Sequence, residues 1–204
     1  MRLLVFGASG AVGRHVVGAA LKQGYVVTAL LENHKPLGIR HEKLREIHGR
    51  VLNSRSVFAA MKGQSAVVCA LEPEGRGPTK LFSEGAVNIV DAMAAHGVKR
   101  LVCLSTVGVL GSDAGLLHKH VIIPLFKKHE FADKRRQLEI IMRSDLDWIV
   151  VRHAALTSGP RMNKYHVSLV RPVGGKISQA NVADFIVKQL TQDRFLREMP
   201  IVSG

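Results

Sequence analysis

Leu3-Leu4-Val5-Phe6-Gly7-Ala8-Ser9-Gly10-Ala11-Val12-Gly13 carries the strongest structural signal in the sequence. Four apolar residues in a row read as a strand buried on both faces, the pattern of a parallel sheet. A G-x-x-G-x-x-G run follows at once, and residues 12–22 then carry apolar positions at helical spacing and stop before Gly24. Each glycine has its own task in such a turn. Gly7 lets the chain bend sharply out of the strand, Gly10 lets the backbone approach a pyrophosphate, and Gly13 lets the helix pack closely on the sheet. Main-chain N–H groups and the positive end of the helix then face the phosphates. A glycine run alone is a weak signal. The strand before it, and the helix and second strand after it, supply the context it needs. Gly7, Ser9, Gly10, Ala11, Val12 and Gly13 are therefore expected to hold a dinucleotide.

Working outward, strand and helix patterns alternate. Strands are expected at 25–31, 44–47, 66–71, 101–104 and 148–151, with a last short one at 201–202. Helices are expected at 57–61, with Ser54 as the cap, at 79–96 ending on Gly97, at 116–126, at 131–143, and at 182–190, capped by Ser178. Residues 165–170 and 176–177 flank Pro172-Val173-Gly174-Gly175 and read as a late hairpin. Alternation of this kind implies βαβ units with helices on both faces of the sheet. The expectation is an α/β, Rossmann-type, doubly wound and mostly parallel sheet in three αβα layers. One domain spans residues 1–204, with substrate elements in the loops 105–130 and 153–178.

Composition limits the alternatives. Hydrophobic residues make up 47% of the 204 and charged residues 22%, which excludes a disordered chain. The longest apolar runs are strand-sized, far below the roughly 20 residues of a membrane span. Polar residues at Ser9, Arg14 and His15 interrupt any secretory signal, so a cytoplasmic location is expected. Cys69 and Cys103 fall in two buried strands and read as reduced core thiols, or as a redox pair if those strands are neighbours. No metal-ligand spacing is present. The net charge of +13 attracts polyanions, and much of it lies in 117–136, through Lys119, Lys127, Lys128, Lys134, Arg135 and Arg136. Without interleaved aromatics that segment reads as a solvated helix face, and nucleic acid is a disfavoured partner.

The end of the second strand normally selects the cofactor. Glu32, about 20 residues past the turn, suits the ribose hydroxyl of NAD(H). Lys35, Arg40 and Arg50 lie close in sequence and suit the extra phosphate of NADP(H). Chemistry belongs at the carboxyl ends of strands four to six, where Ser105 and Thr106 offer hydroxyls to a nicotinamide amide or a substrate oxygen. A ketone reductase needs a positioned acid, often Tyr with Lys four residues on. Tyr25 is followed there by Ala29 and Tyr165 by Leu169, while Lys134 has Glu130 one turn earlier. Alcohol chemistry is disfavoured. A flavin or linear tetrapyrrole accepts hydride more easily and can draw its proton from water or a weak donor.

The residues from Ser83 to Met93 (Ser-Glu-Gly-Ala-Val-Asn-Ile-Val-Asp-Ala-Met), with Ala95-His96-Gly97-Val98, carry a family resemblance. So do Ser105-Thr106, Asp147-Trp148, Val150-Val151-Arg152, Ile177-Ser178 and Val182-Ala183-Asp184. Over nearly its whole length the chain resembles the atypical short-chain dehydrogenase/reductases with an NAD(P)-binding, NmrA-like domain, and within them the biliverdin and flavin reductases. The resemblance implies an NADP(H)-dependent reductase of flavins or biliverdins. It implies that Gly7, Ser9, Gly10 and Val12 hold the pyrophosphate. Val51, Leu71 and Leu104 would line the adenine and ribose side, Thr106 would stand by the nicotinamide, and Arg136 would flank the substrate opening. Lys134, Ala155 and Leu156 fall on the cofactor side of the same comparison, and His153 on the substrate side. Four positions depart from the family: Glu32 replaces its arginine after strand two, Arg50 its acid after strand three, Glu72 its glycine after strand four, and Ala155 its histidine after strand six.

Three functions follow as expectations. The first is an NAD(P)H-dependent reductase with a small-molecule flavin or tetrapyrrole substrate, acting as a monomer without metal or membrane. The second is an NAD(P)-binding regulatory module without turnover. The third is nucleic-acid binding through the basic surface.

Overall fold

In a computed structural model, residues 1–32, 36–73, 78–110, 128–162 and 164–204 are described. The expected helix at 116–126, Lys35, Lys119 and Lys127 lie outside them. The chain runs β1 (Arg2–Phe6), α1 (Gly13–Lys22), β2 (Val26–Leu31), β3 (Leu44–His48), α2 (Ser54–Met61), β4 (Ala66–Cys69), α3 (Leu81–His96), β5 (Arg100–Thr106), α4 (Lys128–Met142), β6 (Asp147–His153), β7 (Ala155–Thr157), β8 (His166–Ser168), β9 (Lys176–Ser178), α5 (Gln179–Lys188) and β10 (Ile201–Ser203).

The main sheet has eight strands in the order β3-β2-β1-β4-β5-β6-β10-β8. All its pairings are parallel except β10 with β8. This is the single-domain, Rossmann-type α/β architecture. Side-chain alternation explains the layers. Leu3 and Val5 of β1 pack with Val16, Val17 and Ala20 of α1 and with Val182 and Ile186 of α5. Leu4 and Phe6 face the other way, toward Met61 of α2, Phe82 and Ile89 of α3, and Leu138 and Ile141 of α4. The order reverses between β1 and β4, because the chain winds from β1 to β2 on one side and then returns to place β4 on the other. A crevice opens at such a switch point, at the carboxyl ends of the strands.

Two local expectations are corrected. The late hairpin does not form. Residues 166–168 pair antiparallel with β10, while 176–178 pair in parallel with β7 in a separate two-stranded sheet. Pro172 and the glycines join two sheets, so their turn chemistry was read correctly and their partners were not. The cap of α2 is Asn53, not Ser54: the Asn53 side chain accepts the Ser56 N–H at 3.1 Å, and Ser54 is the first helical residue. Ser178 caps α5 as expected, taking the Asn181 N–H at 3.1 Å. Arg152 in β6 is buried and fastens the far edge, donating to Met199 O at 2.7 and 2.9 Å and to Leu169 O at 3.3 Å.

Loss of a capping side chain costs about 1 kcal/mol. Asn53→Ala should lower the urea unfolding free energy by about that amount, and Ser54→Ala by much less. Equal losses would move the cap back to Ser54.

Candidate functional site

The site begins with a steric fact. Gly7 leaves β1 at φ +72°, and a Cβ on it would stand 2.1 Å from Ala70 O. A Cβ on Gly13 would stand 2.0 Å from Gly7 O. Any side chain at either position would force the turn, the helix start and the end of β4 apart. Gly10 N–H donates to Gly7 O at 3.0 Å and Gly10 O accepts from Arg14 N–H at 3.1 Å, so the turn is tied at both ends.

A cleft of about 380 Å³ opens above this turn. Gly7, Ser9 and Gly10 form one wall, Val51 and Leu71 are apolar lining residues, and Glu32 and Arg50 stand at one side. Asn88 of α3 donates to Val51 O at 2.9 Å and holds that wall in place. Arg50 Nε lies 2.7 Å from Glu32 Oε1, with the two side chains 67% and 40% exposed. The acid and the cation that sequence offered as rival cofactor selectors are thus ion-paired to each other. Arg50 and Leu52 also line a neighbouring recess with Asn53, Ser54 and Arg55. Glu72, exposed just after β4, also lines the cleft. Its Oε1 accepts a long 3.5 Å bond from Val12 N–H, at the start of α1.

The other proposed site residues divide. Ser105 is fully buried, its hydroxyl without a hydrogen-bond partner among the described residues, and Thr106 is half-buried. Thr106 pairs in register with His153 of β6, and its hydroxyl lies 3.5 Å from both His153 O and Val107 O. The His153 ring stands 2.8 Å from Ala154 O. Ser105, Thr106 and His153 therefore share one place at the carboxyl ends of β5 and β6. Leu104 is buried in the core beneath α1 and α5, not in the wall of the cleft. Ala155 and Leu156 lie in the small sheet, paired with Lys176 and Ile177. Arg136 lies exposed on α4.

Lys134 departs from the solvated-face reading, which the exposed Arg135 and Arg136 of the same helix fit. It is 7% exposed, paired with Glu130 at 3.2 Å, and its ammonium lies 4.8 Å from the Phe82 ring centre. Arg135 beside it donates to Val109 O at 2.7 Å. Sequence also missed Asp133. That carboxylate is 1% exposed and receives the Phe82 N–H at 2.9 Å together with the Ser83 hydroxyl. It supplies the start of α3 with an acceptor from a different helix, and no local pattern announces a partner fifty residues away. Cys69 and Cys103 are register partners on adjacent strands, buried and free. A hydrogen bond with Cys69 and complete burial hold the Cys103 thiol well above its ordinary range.

A second unforeseen cluster lies on α5. Tyr165 donates to Asp184 at 3.2 Å and accepts from Lys188 at 3.3 Å, and Asp184 also pairs with Lys188 and Arg161, each at 2.8 Å. Burial raises the Tyr165 phenol, against the pull of Lys188, and the Asp184 carboxylate raises Lys188. The tyrosine–lysine contact that spacing excluded exists in space. Asp184 and Lys188 line a separate cavity between α1 and α5 and do not enter the cleft above the turn.

A family model described as NAD(P)H-binding matches residues 7–193. The photosystem II assembly factor Ycf39 of Guillardia theta is 24% identical, over 99% of this chain and 65% of that protein. A short-chain dehydrogenase/reductase from Veillonella parvula, solved in complex with NADP, is 16% identical with a TM-score of 0.84, covering 100% of this chain and 94% of its own. The structure named as the anaerobilin reductase ChuY of Escherichia coli O157:H7 is 15% identical with a TM-score of 0.81, covering 100% and 97%. At these identities the two structures share the fold. Among the described residues there is no group of three or more potential metal ligands, and no helix is long and apolar enough to cross a membrane.

Hydrogen bonds to a buried charged group are each worth about 1.5–3 kcal/mol. Asp133→Ala should therefore lower the unfolding free energy by at least about 2 kcal/mol in urea titration, with α3 the first helix to lose amide protection.

Proposed function

The chain belongs to the NAD(P)H-binding family, and from that premise we propose that it is a reductase that draws hydride from NADP(H) and passes it to a conjugated acceptor of the flavin or linear tetrapyrrole class. The observation that carries the reading is the glycine turn at the switch point, tight against Ala70 O and opening into a cleft lined by apolar residues and by Glu32 and Arg50. A cofactor of this kind fits there. Gly7, Ser9, Gly10 and Val12 would take the pyrophosphate, Val51 and Leu71 would pack against the adenine, and the Glu32–Arg50 pair would meet the ribose. Bound in its reduced form, the nicotinamide supplies hydride.

The remaining roles fall to the chain's own residues. Thr106, held beside His153, would orient the acceptor or the carboxamide through its hydroxyl. The loops 105–130 and 153–178 would shape the substrate opening. Tyr25 precedes β2, at the amino-terminal end of the parallel strands and so away from the glycine turn at their carboxyl end, and Tyr165 is engaged by Asp184 and Lys188. Neither phenol stands in the cleft to protonate an alkoxide, which favours an acceptor that needs no strong positioned acid.

NADP(H) is favoured over NAD(H) by the basic recess that Arg50 shares with Arg55 beside the ribose position. An exposed ion pair is worth at most about 1 kcal/mol, so a 2′-phosphate can draw Arg50 from Glu32 at little cost. A second reading, a nucleotide-binding partner protein without turnover, is favoured by the similarity to an assembly factor.

Titration with NADPH and NADH side by side, then with FMN or biliverdin added, separates these outcomes. NADPH should bind more tightly, and Arg50→Gln should weaken it about tenfold, equivalent to about 1.4 kcal/mol, with little change for NADH. Tighter NADH binding by the unaltered protein would assign the choice to Glu32 instead. Thr106→Val should lower kcat about tenfold while cofactor affinity holds. Binding without oxidation of either nucleotide by any acceptor would leave the partner-protein reading standing.

A further inference from the structure

Glu72 stands where a dinucleotide-binding turn normally presents an open space. Its carboxylate carbon lies 2.9 Å, and its two oxygens 3.0 and 3.1 Å, from the position that a Cβ on Gly10 would occupy. The missing side chain of Gly10 therefore makes room for this carboxylate as well as for a ligand. One of the oxygens accepts the Val12 N–H at the opening of α1, where the aligned helix amides favour negative charge. Glu72 itself is exposed.

From this contact we infer that Glu72 is an internal competitor for the phosphate cradle: its carboxylate occupies the diphosphate position in the free protein and must leave before a pyridine dinucleotide can bind. The inference rests on the dinucleotide-binding reading above and adds a residue that sets the strength of that binding. Two effects act together. The carboxylate blocks the space over Gly10, and its charge repels the two negative charges of a diphosphate in a cleft partly screened from water. Glu72 precedes Pro73, which restricts the backbone of residue 72 to extended conformations, so rotation of the side chain is the simplest way for the carboxylate to leave. Binding energy is spent on displacing it, and the apparent affinity falls by the fraction of molecules in which the cradle is open.

The test is calorimetric titration of the unaltered protein, Glu72→Gln and Glu72→Ala with NADPH, NADH and adenosine. Glu72→Gln keeps the size and removes the charge; Glu72→Ala removes both. Both variants should bind the two dinucleotides at least tenfold more tightly, Glu72→Ala the more so. Adenosine, which lacks phosphate, should change by less than twofold. In amide NMR spectra of the unliganded proteins the Val12 signal should move in both variants. Dinucleotide affinities within twofold of the unaltered protein, or weaker, would overturn the inference and leave the cofactor reading intact. Equal tightening for adenosine would overturn it too, since the gain would not lie at the diphosphate. A Val12 signal that stays in place in both variants would remove the contact on which it rests. If none of the three proteins binds any nucleotide, the cofactor reading falls and takes this inference with it.

Discussion

The carbonyl oxygen of Gly7 lies where a side chain at residue 13 would have to begin, and the carbonyl of Ala70 lies where one at residue 7 would begin. These two approaches hold β1, α1 and the end of β4 closer than any residue with a Cβ allows. The sheet order and the cleft depend on that closeness. It brings the first turn of α1 over the switch point, and so aims the amides of one element at a gap made by two others. The large apolar residues on both faces of β1 supply burial energy, but burial alone does not choose this geometry; the absence of two methyl groups does.

Charge is arranged around the cleft in a less usual way. Two groups that could meet a ligand are engaged from within: Arg50 by Glu32, and the helix start by Glu72. Both contacts are exposed or long, so both are weak and exchangeable. The buried charges are fastened more firmly. Asp133 serves the start of α3, and Lys134 sits between Glu130 and the Phe82 ring. The protein separates adjustable charge at the cleft from fixed charge beneath it. A basic net balance thus says little about the cleft until each cation has been assigned a partner.

Most of the fold was legible because its signals are local. The apolar run before Gly7, the alternation of strand and helix, and Ser178 as a cap each depend on neighbours a few residues away. The glycine turn was legible for the same reason. The misread parts depend on distant partners. Residues 166–168 and 176–178 look like two arms of one hairpin, yet each is taken by a strand that periodicity cannot nominate. Lys134 looks like surface because α4 carries charge on most sides, and only packing against Phe82 reveals it as interior. Leu104, which the resemblance assigns to the cofactor side, packs with core residues of α1 and α5, contacts that no local pattern announces. The tyrosine–lysine contact was sought at helical spacing and formed between a loop and α5.

One feature of the far edge bears on how the molecule is assembled. β10 lies between β6 and β8, though it follows both in the chain. During synthesis β8 leaves the ribosome before the strand that will pair with it, and the open side of β6 is left without its β10 partner for the same interval. The pairings of β1 with β2 and β4 include no residue of 201–203, although Val202 packs in the same core cluster as Leu3 and Val5. The strand that joins β6 to β8 is therefore the last strand of the sheet to be synthesised. Until it emerges, the nascent chain presents β6 and β8 as open strand borders that a stray strand could join.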